Sequence, residues 1–130
     1  PYASIFRLVG GGATYVCYVN GQITSFTTSV KYPVLVGGLA IRQETTGNVR
    51  AMLQLMPMKI DKVGAASVLS GDTRYEMADN AQVYLWYKGQ YYATKLTEVN
   101  ADGYYLTGWY DNFGCAAGKK VRVIVAVKKD

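Results

Sequence analysis

Histidine is absent from this chain, and charged residues are scarce. The 130 residues contain no His, and Asp, Glu, Lys and Arg together make up 18% of them, below the roughly 25% usual for soluble domains. Without His, no Ser-His or Cys-His nucleophile pair and no His-ligated metal site can form. The low charge, combined with 14 Gly and 12 Tyr, is typical of a β-rich extracellular protein rather than a helical cytosolic enzyme.

Cysteine is nearly as rare. Cys17 and Cys115 are too few for a disulfide scaffold, and they lack the spacing of metal ligands. Two alternatives stay open for them: a single disulfide, which would form if the protein is exported, or two buried free thiols. We expect neither a metal nor a cofactor.

Long apolar runs and phosphate-binding loops are also missing. No stretch approaches the ~20 apolar residues of a membrane span, so we expect no membrane insertion. Gly10-Gly11-Gly12 lacks the Lys and the following helix of a phosphate loop, and we interpret it as a flexible turn. No signal peptide opens the chain, and its start at Pro1 suggests a processed or excised piece.

The charges that are present do not point to a polyanion site. The net charge is +5, which by itself would be compatible with a nucleic-acid partner. The basic residues are spread along the chain, however, apart from small clusters at 119–122 and 128–129. We interpret them as solubilising charges that blunt exposed strands, and expect no nucleic acid.

Acidic residues could still support catalysis, because nine of them are enough for a carboxylate pair of the glycosidase type. Asp72, Asp79, Asp102 and Asp111 nevertheless lie in turn-like contexts, where an Asp normally hydrogen-bonds its own turn backbone. We therefore predict that the protein is not an enzyme.

Strand and hairpin patterns run through the whole chain. Asn20-Gly21 and Lys88-Gly89 occupy two-residue turns between segments of β-branched and aromatic residues, and Asn-Gly favours the positive φ angles of a type I′ turn. Four hairpins are predicted, joining residues 14–19 to 22–27, 38–44 to 49–55, 82–87 to 90–94, and 104–111 to 121–127. Further strands are expected at 3–9, 65–69 and 73–78.

The last predicted strand shows the clearest alternation. Val121, Val123, Val125 and Val127 occupy every second position, so a uniformly valine face should point into a core. Helix is expected only as a turn near residues 96–99.

The hairpins also match each other in pairs. Gly21 corresponds to Gly89, and Val49-Arg50 to Val121-Arg122, at offsets of roughly 70 residues. We interpret the matches as an internal duplication; chance similarity of short β patterns is the alternative. The predicted halves are residues 1–58 and 59–130, and they join at the short, apolar segment 56–62 around Pro57. We expect the halves to pack together, so that a single compact domain is an alternative to two separate ones.

These patterns predict an all-β fold with minimal helix. Each of the two related halves would contain about five short antiparallel strands, arranged as small barrel-like units or as one sandwich.

Aromatic side chains are the strongest functional signal. Pairs such as Tyr104-Tyr105 and Trp109-Tyr110 place aromatic rings on both faces of their strands. One face must be core; the other would carry either stabilising cross-strand ladders or an exposed platform for a sugar or a protein. The candidate ligand- or partner-binding residues are Tyr84, Trp86, Tyr92, Trp109, Tyr110 and Phe113.

The second half resembles a known kind of module. Residues 81–94 read Ala-Gln-Val-Tyr-Leu-Trp-Tyr-Lys-Gly-Gln-Tyr-Tyr-Ala-Thr, and Gly-Tyr-Tyr-Leu-Thr-Gly-Trp-Tyr-Asp and Val-Arg-Val-Ile-Val-Ala follow. Their style and order resemble β modules of Firmicutes (clostridial) cell-surface or S-layer-like proteins. The resemblance covers about half the chain well and residues 49–53 more loosely. It implies a structural or adhesive building block with no catalytic residues to transfer.

Three functional hypotheses follow. The first is a non-enzymatic structural or interaction module of a bacterial extracellular surface protein, whose anchor and signal peptide would lie outside this chain. The second is an adhesive module that binds a host protein such as immunoglobulin, or a glycan, through its surface aromatics. The third is a self-assembling lattice or filament subunit. A protein partner, self or host, is favoured over a small molecule. Binding is expected first at the loop 112–120 with Cys115.

Overall fold

A computed structural model of the chain describes residues 3–8, 12–34, 36–111 and 119–129. These residues form twelve strands in two sheets, with one 3₁₀ turn at Leu96–Glu98. The prediction of an all-β fold with minimal helix is confirmed. Within the described ranges, no helix has the length and apolar character needed to cross a membrane.

The first sheet contains five strands in the order β3-β2-β1-β4-β5, and every neighbouring pair is antiparallel. The strands are β1 (Ala3–Arg7), β2 (Thr14–Val19), β3 (Gln22–Thr27), β4 (Gly37–Gln43) and β5 (Val49–Gln54). Asn20 and Gly21 adopt positive φ angles of 50° and 84°, which confirms the predicted tight turn between β2 and β3.

The second sheet contains seven strands. Its main order is β6-β11-β12-β9-β8-β7, and β10 pairs with the last part of β9. The strands are β6 (Met56–Ile60), β7 (Lys62–Val63), β8 (Ser67–Ser70), β9 (Thr73–Tyr87), β10 (Gln90–Thr94), β11 (Tyr104–Tyr110) and β12 (Val121–Lys128). The long strand β9 pairs first with β8 and then with β10, so it is the common neighbour of two hairpins.

All four predicted hairpins are present, but the second sheet does not repeat the strand order of the first. In the first sheet β4, the outgoing strand of its hairpin, lies beside β1. In the second sheet β12, the returning strand, lies beside β9 and runs parallel to it. The described strand pairs are otherwise antiparallel. The duplication stays a prediction that rests on the hairpins alone.

The chain passes from one sheet to the other at Leu55. This residue is fully buried, and its N–H donates to the carbonyl of Gly38 over 3.2 Å. β5 ends immediately before it and β6, which contains Pro57, begins immediately after it and pairs with β11. The change of sheet therefore falls just before the predicted boundary between residues 58 and 59.

Three apolar clusters hold this arrangement together. One lies between the sheets, and its buried members are Phe6, Ala40, Leu55, Tyr84, Val123 and Val125. A second lies on the outer face of the first sheet around Ile5, Tyr15 and Leu39. The third lies on the outer face of the second sheet around Val83, Leu106 and Ile124. The molecule is thus two packed sheets with additional core on both outer faces.

The valine strand is buried differently from its prediction. Val123 and Val125 do point to the cluster between the sheets, but Ile124 and Ala126 are buried in the outer cluster on the opposite face. Val121 joins that outer cluster too, because the register shifts between Val121 and Val123. A central strand with a parallel neighbour is commonly covered on both faces. The prediction that only one face of this strand is buried was therefore wrong.

Candidate binding surface

The second sheet extends beyond the part that the first sheet covers. Tyr84 and Val125, which pair with each other, are buried between the sheets. Two residues further along, Val127 pairs with Trp86 on one side and with Tyr105 on the other. Directly paired residues project from the same face, so these three side chains form a row across β9, β12 and β11. Trp86 is 39% exposed and Tyr105 is 62% exposed.

A lysine side chain lies at the Tyr105 end of this row, and a second lies at the end of the sheet. Lys88, in the tight turn that follows β9 with a φ of 50°, holds its ammonium 5.3 Å from the centre of the Tyr87 ring, and Lys129 follows β12. The Lys129 ammonium lies 5.2 Å from the centre of the Tyr105 ring and donates to the Ala101 carbonyl over 2.9 Å. We call Trp86, Tyr105, Val127 and Lys129 the aromatic–lysine face.

A shallow groove of about 340 Å³ opens at the end of β9 and β12, where residues of both faces line it. Its lining consists of Trp86, Tyr87, Lys88, Val127, Lys128 and Lys129. A second groove of about 350 Å³ begins on the other side of Lys129 and includes Tyr105 and Asp61. Aromatic planes provide apolar contact area, and the ammonium groups favour an acidic ligand. The surface can therefore hold a partner that combines flat apolar groups with negative charge.

The β9–β10 hairpin also exposes aromatic rings on its other face. Tyr87 is 49% exposed and Tyr92 is 48% exposed. Both lie on the face opposite Trp86, because side chains alternate along a strand and paired residues share a face. The Tyr92 hydroxyl donates to the side-chain oxygen of Gln90 over 3.2 Å. Trp86 and Tyr92 are therefore exposed but do not belong to one surface.

Tyr84 is not a surface residue, in contrast to the sequence interpretation. It is 1% exposed and its hydroxyl donates to Gln82 while accepting the N–H of Gly21 at 3.3 Å. Burial raises the pKa of the Tyr84 hydroxyl, partly offset by the Gly21 N–H, and the nearby Tyr18 raises it further. The first sheet covers this position, which makes Tyr84 part of the core.

Trp109 and Tyr110 are half-buried packing residues. The Trp109 ring meets Phe6 edge-on at a centroid distance of 5.5 Å, between the sheets. The Tyr110 ring lies 4.9 Å from that of Tyr75 on the outer face. Phe113 and Cys115, and most of the loop in which we expected binding, lie outside the described residues.

Sequence reasoning did not single out Tyr105 or the lysines beside it. The alternation of β11 places Tyr105 on the same face as Trp109, and the register of the final hairpin pairs it with Val127. If the register of this hairpin is continued two residues beyond Val127, Lys129 falls on the same face as Tyr105. This pattern could have predicted the face from the sequence.

Cys17 is buried in the first sheet, and no disulfide joins it to another described residue. Burial raises its pKa from 9.0 to about 11, although the nearby Arg7 charge acts in the opposite direction. The thiol is therefore neutral and unreactive at ordinary pH. Because Cys115 is not described, its pairing with Cys17 stays untested.

The acidic residue Asp111 serves its own loop. One carboxylate oxygen accepts the backbone N–H of Lys119 at 2.6 Å, and the other accepts Arg122 Nε at 2.8 Å. The interpretation of Asp111 as a turn-stabilising residue is confirmed, whereas Asp79, for which a turn was also expected, lies within β9. Across the described ranges, no group of three or more Cys, Asp or Glu side chains is placed to hold a metal ion.

Comparisons with protein-family models, with curated proteins and with solved structures found no match for this chain. The resemblance to modules of clostridial surface proteins stays a prediction, and the aromatic–lysine face is the most direct structural indication of function.

Proposed function

We propose that the chain is a non-enzymatic interaction module of a bacterial extracellular surface protein, and that it binds a partner protein on the aromatic–lysine face. The observation that carries the proposal is the row of Trp86, Val127 and Tyr105, exposed on a strand surface whose neighbouring positions are core. The extracellular setting is supported by the low charge and by the resemblance of residues 81–126.

The chemistry of the face suits a protein partner. Trp and Tyr are enriched among the residues that carry most of the binding energy in protein interfaces, since they bury a large area with few rotatable bonds. Both rings are held by central strands of a packed sheet, so little backbone ordering is needed on binding. Lys88 and Lys129 would steer an acidic patch of the partner onto the rings.

A glycan is the second candidate. Neighbouring strands are about 4.8 Å apart, so Trp86 and Tyr105, separated by one strand, lie on the order of 10 Å apart. At that spacing, two sugar rings of one glycan would stack on the two aromatic planes. The lysines would favour a glycan that carries carboxylates or sulfates.

The test is a binding measurement with matched variants. Immobilised wild-type chain is exposed to pooled human immunoglobulin G, to the acidic polysaccharides polygalacturonate and heparin, and to neutral dextran. Trp86→Ala and Tyr105→Ala each remove one aromatic ring from the aromatic–lysine face. Tyr92→Ala removes a similarly exposed ring from the opposite face. We expect binding of immunoglobulin to weaken at least tenfold in the first two variants and to be unchanged in the third.

The outcomes separate the candidates. Binding of the acidic polysaccharides with the same dependence on Trp86 would favour the glycan. Binding to none of the probes, or binding that Trp86→Ala leaves intact, would count against the face as the site. The non-enzymatic part would fail if hydrolysis were detected and replacement of a single carboxylate abolished it.

A further inference from the structure

The two lateral sides of the sandwich are built differently. On one side Leu55 connects the sheets, and the strands at that side carry charged residues and proline: Arg50 in β5, and Pro57 and Lys59 in β6. Charged side chains and proline on edge strands are the usual means by which proteins prevent edge-to-edge pairing. That side is thus protected against association.

The opposite side has less protection within its strands. There the first sheet ends in β3 (Gln22–Thr27), and the second sheet ends in β10 (Gln90–Thr94) beside the last part of β9 and in β7 beside β8. β7 contains Lys62, whereas neither β3 nor β10 contains a charged residue or proline. β10 is flanked by Lys88 and Lys95, whereas β3 is flanked only by uncharged residues. Ile23 in β3 is 63% exposed. β3 is therefore the more open of the two edges.

The backbone of β3 presents a regular row of groups to the outside. The N–H of Thr28 donates to the carbonyl of Ala13 in the direction of β2. Alternate residues of an antiparallel strand bond the same neighbour, so Ile23, Ser25 and Thr27 direct their N–H and C=O groups away from β2. Within the described part of the chain, no backbone hydrogen bond from another segment reaches these three residues.

We infer that β3 is an interface for a second copy of this chain, which pairs its own β3 in the antiparallel direction across a two-fold axis at Ser25. In this register Ile23 faces Thr27 of the other copy on both sides of the axis, and Ser25 faces Ser25. β-branched pairs of this kind stabilise sheets, and no like charges meet. The two five-stranded sheets become one sheet of ten strands.

The choice of a second copy follows from this self-complementarity. A closed two-fold contact uses the same patch on both partners, and an uncharged segment with β-branched residues at both ends satisfies that condition. Because a single strand edge buries less surface than a permanent interface, we expect a weak dimer with a dissociation constant of about 10 to 500 µM. This inference is independent of the aromatic–lysine face.

Sedimentation velocity of the full chain from about 5 µM to 1 mM tests the dimer. Ser25→Lys places a charge on the edge, and Ser25→Pro removes an outward N–H that β2 does not use. Thr97→Lys, in the exposed 3₁₀ turn, is the control with the same change of charge. We expect the wild type and Thr97→Lys to dimerise with increasing concentration, and both Ser25 variants to remain monomers with unchanged melting temperature.

Amide hydrogen exchange identifies the surface independently. Protection should increase with concentration at Ile23, Ser25 and Thr27. A wild type that stays monomeric throughout, or a dimer that persists in Ser25→Lys with no added protection at these amides, would overturn the inference. If Ser25→Pro does not fold, Ser25→Lys decides. Protection of the three amides only after immunoglobulin G is added to a monomer would assign the edge to a foreign partner and overturn the second copy.

Discussion

Trp109 illustrates how single residues fit the two sheets together. A Cβ atom on Gly38 would lie 2.6 Å from the Cβ and Cγ of Trp109, and one on Gly37 would lie 3.0 Å from its indole nitrogen. The two glycines at the start of β4 therefore allow the indole to reach Phe6 between the sheets.

Gly38→Ala is expected to destabilise the protein by about 1 to 3 kcal/mol, because the added methyl group overlaps backbone-proximal atoms of Trp109 that cannot move aside freely. Urea denaturation measures the change. Gly103→Ala is the control, since its new methyl would come no closer than 3.4 Å to the side chain of Asn100. Equal destabilisation by both variants would contradict the close contact.

The Cys17 thiol predicts a specific dependence of stability on pH. Its pKa is about 11 in the folded protein against 9.0 for an unburied cysteine thiol. An acid whose pKa is raised by folding stabilises the native state fully below the unfolded pKa and loses that contribution as the pH rises through the folded value. The free energy of unfolding should therefore fall between pH 9 and 11.

The matching variant is Cys17→Ala. Its free energy of unfolding should fall less between pH 9 and 11 than that of the wild type, even if the lost packing already lowers its stability at neutral pH. Some decline should remain, because burial also raises the pKa values of Tyr84 and Tyr91. Denaturation curves at several pH values give the slopes; identical slopes in both proteins would refute the neutral buried thiol.

At the level of elements, the two tight turns form a natural pair for comparison. Gly21 and Gly89 have φ angles of 84° and 82°, so an alanine at either position is strained in the same way. Their surroundings differ: a Cβ on Gly21 would lie 2.9 Å from the Cβ of Ala93, whereas one on Gly89 would meet nothing within 4 Å. The turn at Gly21 therefore packs against the second sheet, whereas a side chain at Gly89 would extend into open space.

Gly21→Ala should therefore destabilise the protein more than Gly89→Ala, by about 1 kcal/mol beyond the shared strain. Thermal or urea unfolding of the two variants, side by side, measures this difference directly. Were the two losses the same, the contact between the first hairpin and β10 would not contribute to stability.

The hairpins could be predicted from sequence because their signals are local. Asn20-Gly21 and Lys88-Gly89 determine turn and register within a dozen neighbouring residues. The parallel contact of β9 with β12, by contrast, joins segments separated by β10, the 3₁₀ turn and β11, and no short pattern encodes it. The same holds for the passage between sheets at Leu55, which looks like an ordinary apolar residue in the sequence.

At the scale of the whole molecule, the same distinction applies to the candidate site. Tyr84 and Trp86 lie on one face of one strand, two residues apart, yet Tyr84 is 1% exposed and Trp86 is 39% exposed. Alternation assigned both to the same face and could not separate them, because the difference depends on where the first sheet ends. The site is thus a product of how far one sheet overlaps the other.

This overlap is the basis of the functional account. The part of the second sheet beneath the first is core, and the part beyond it exposes Trp86 and Tyr105 near lysines, on strands whose preceding or following residues are buried in the core. Binding there needs no rearrangement of the sheets, and the proposed dimer edge at β3 belongs to a different strand.

Fluorescence quenching of two single-tryptophan variants tests this account most directly. Trp109→Phe leaves Trp86 as the only indole, and Trp86→Phe leaves Trp109. Acrylamide reports accessibility, while iodide and caesium report the sign of the local charge, since an anionic quencher concentrates near lysines. The account predicts that Trp86 is quenched by acrylamide and much more by iodide than by caesium, with Trp109 largely shielded from all three. A Trp86 shielded like Trp109, or quenched equally by the two ions, would contradict it.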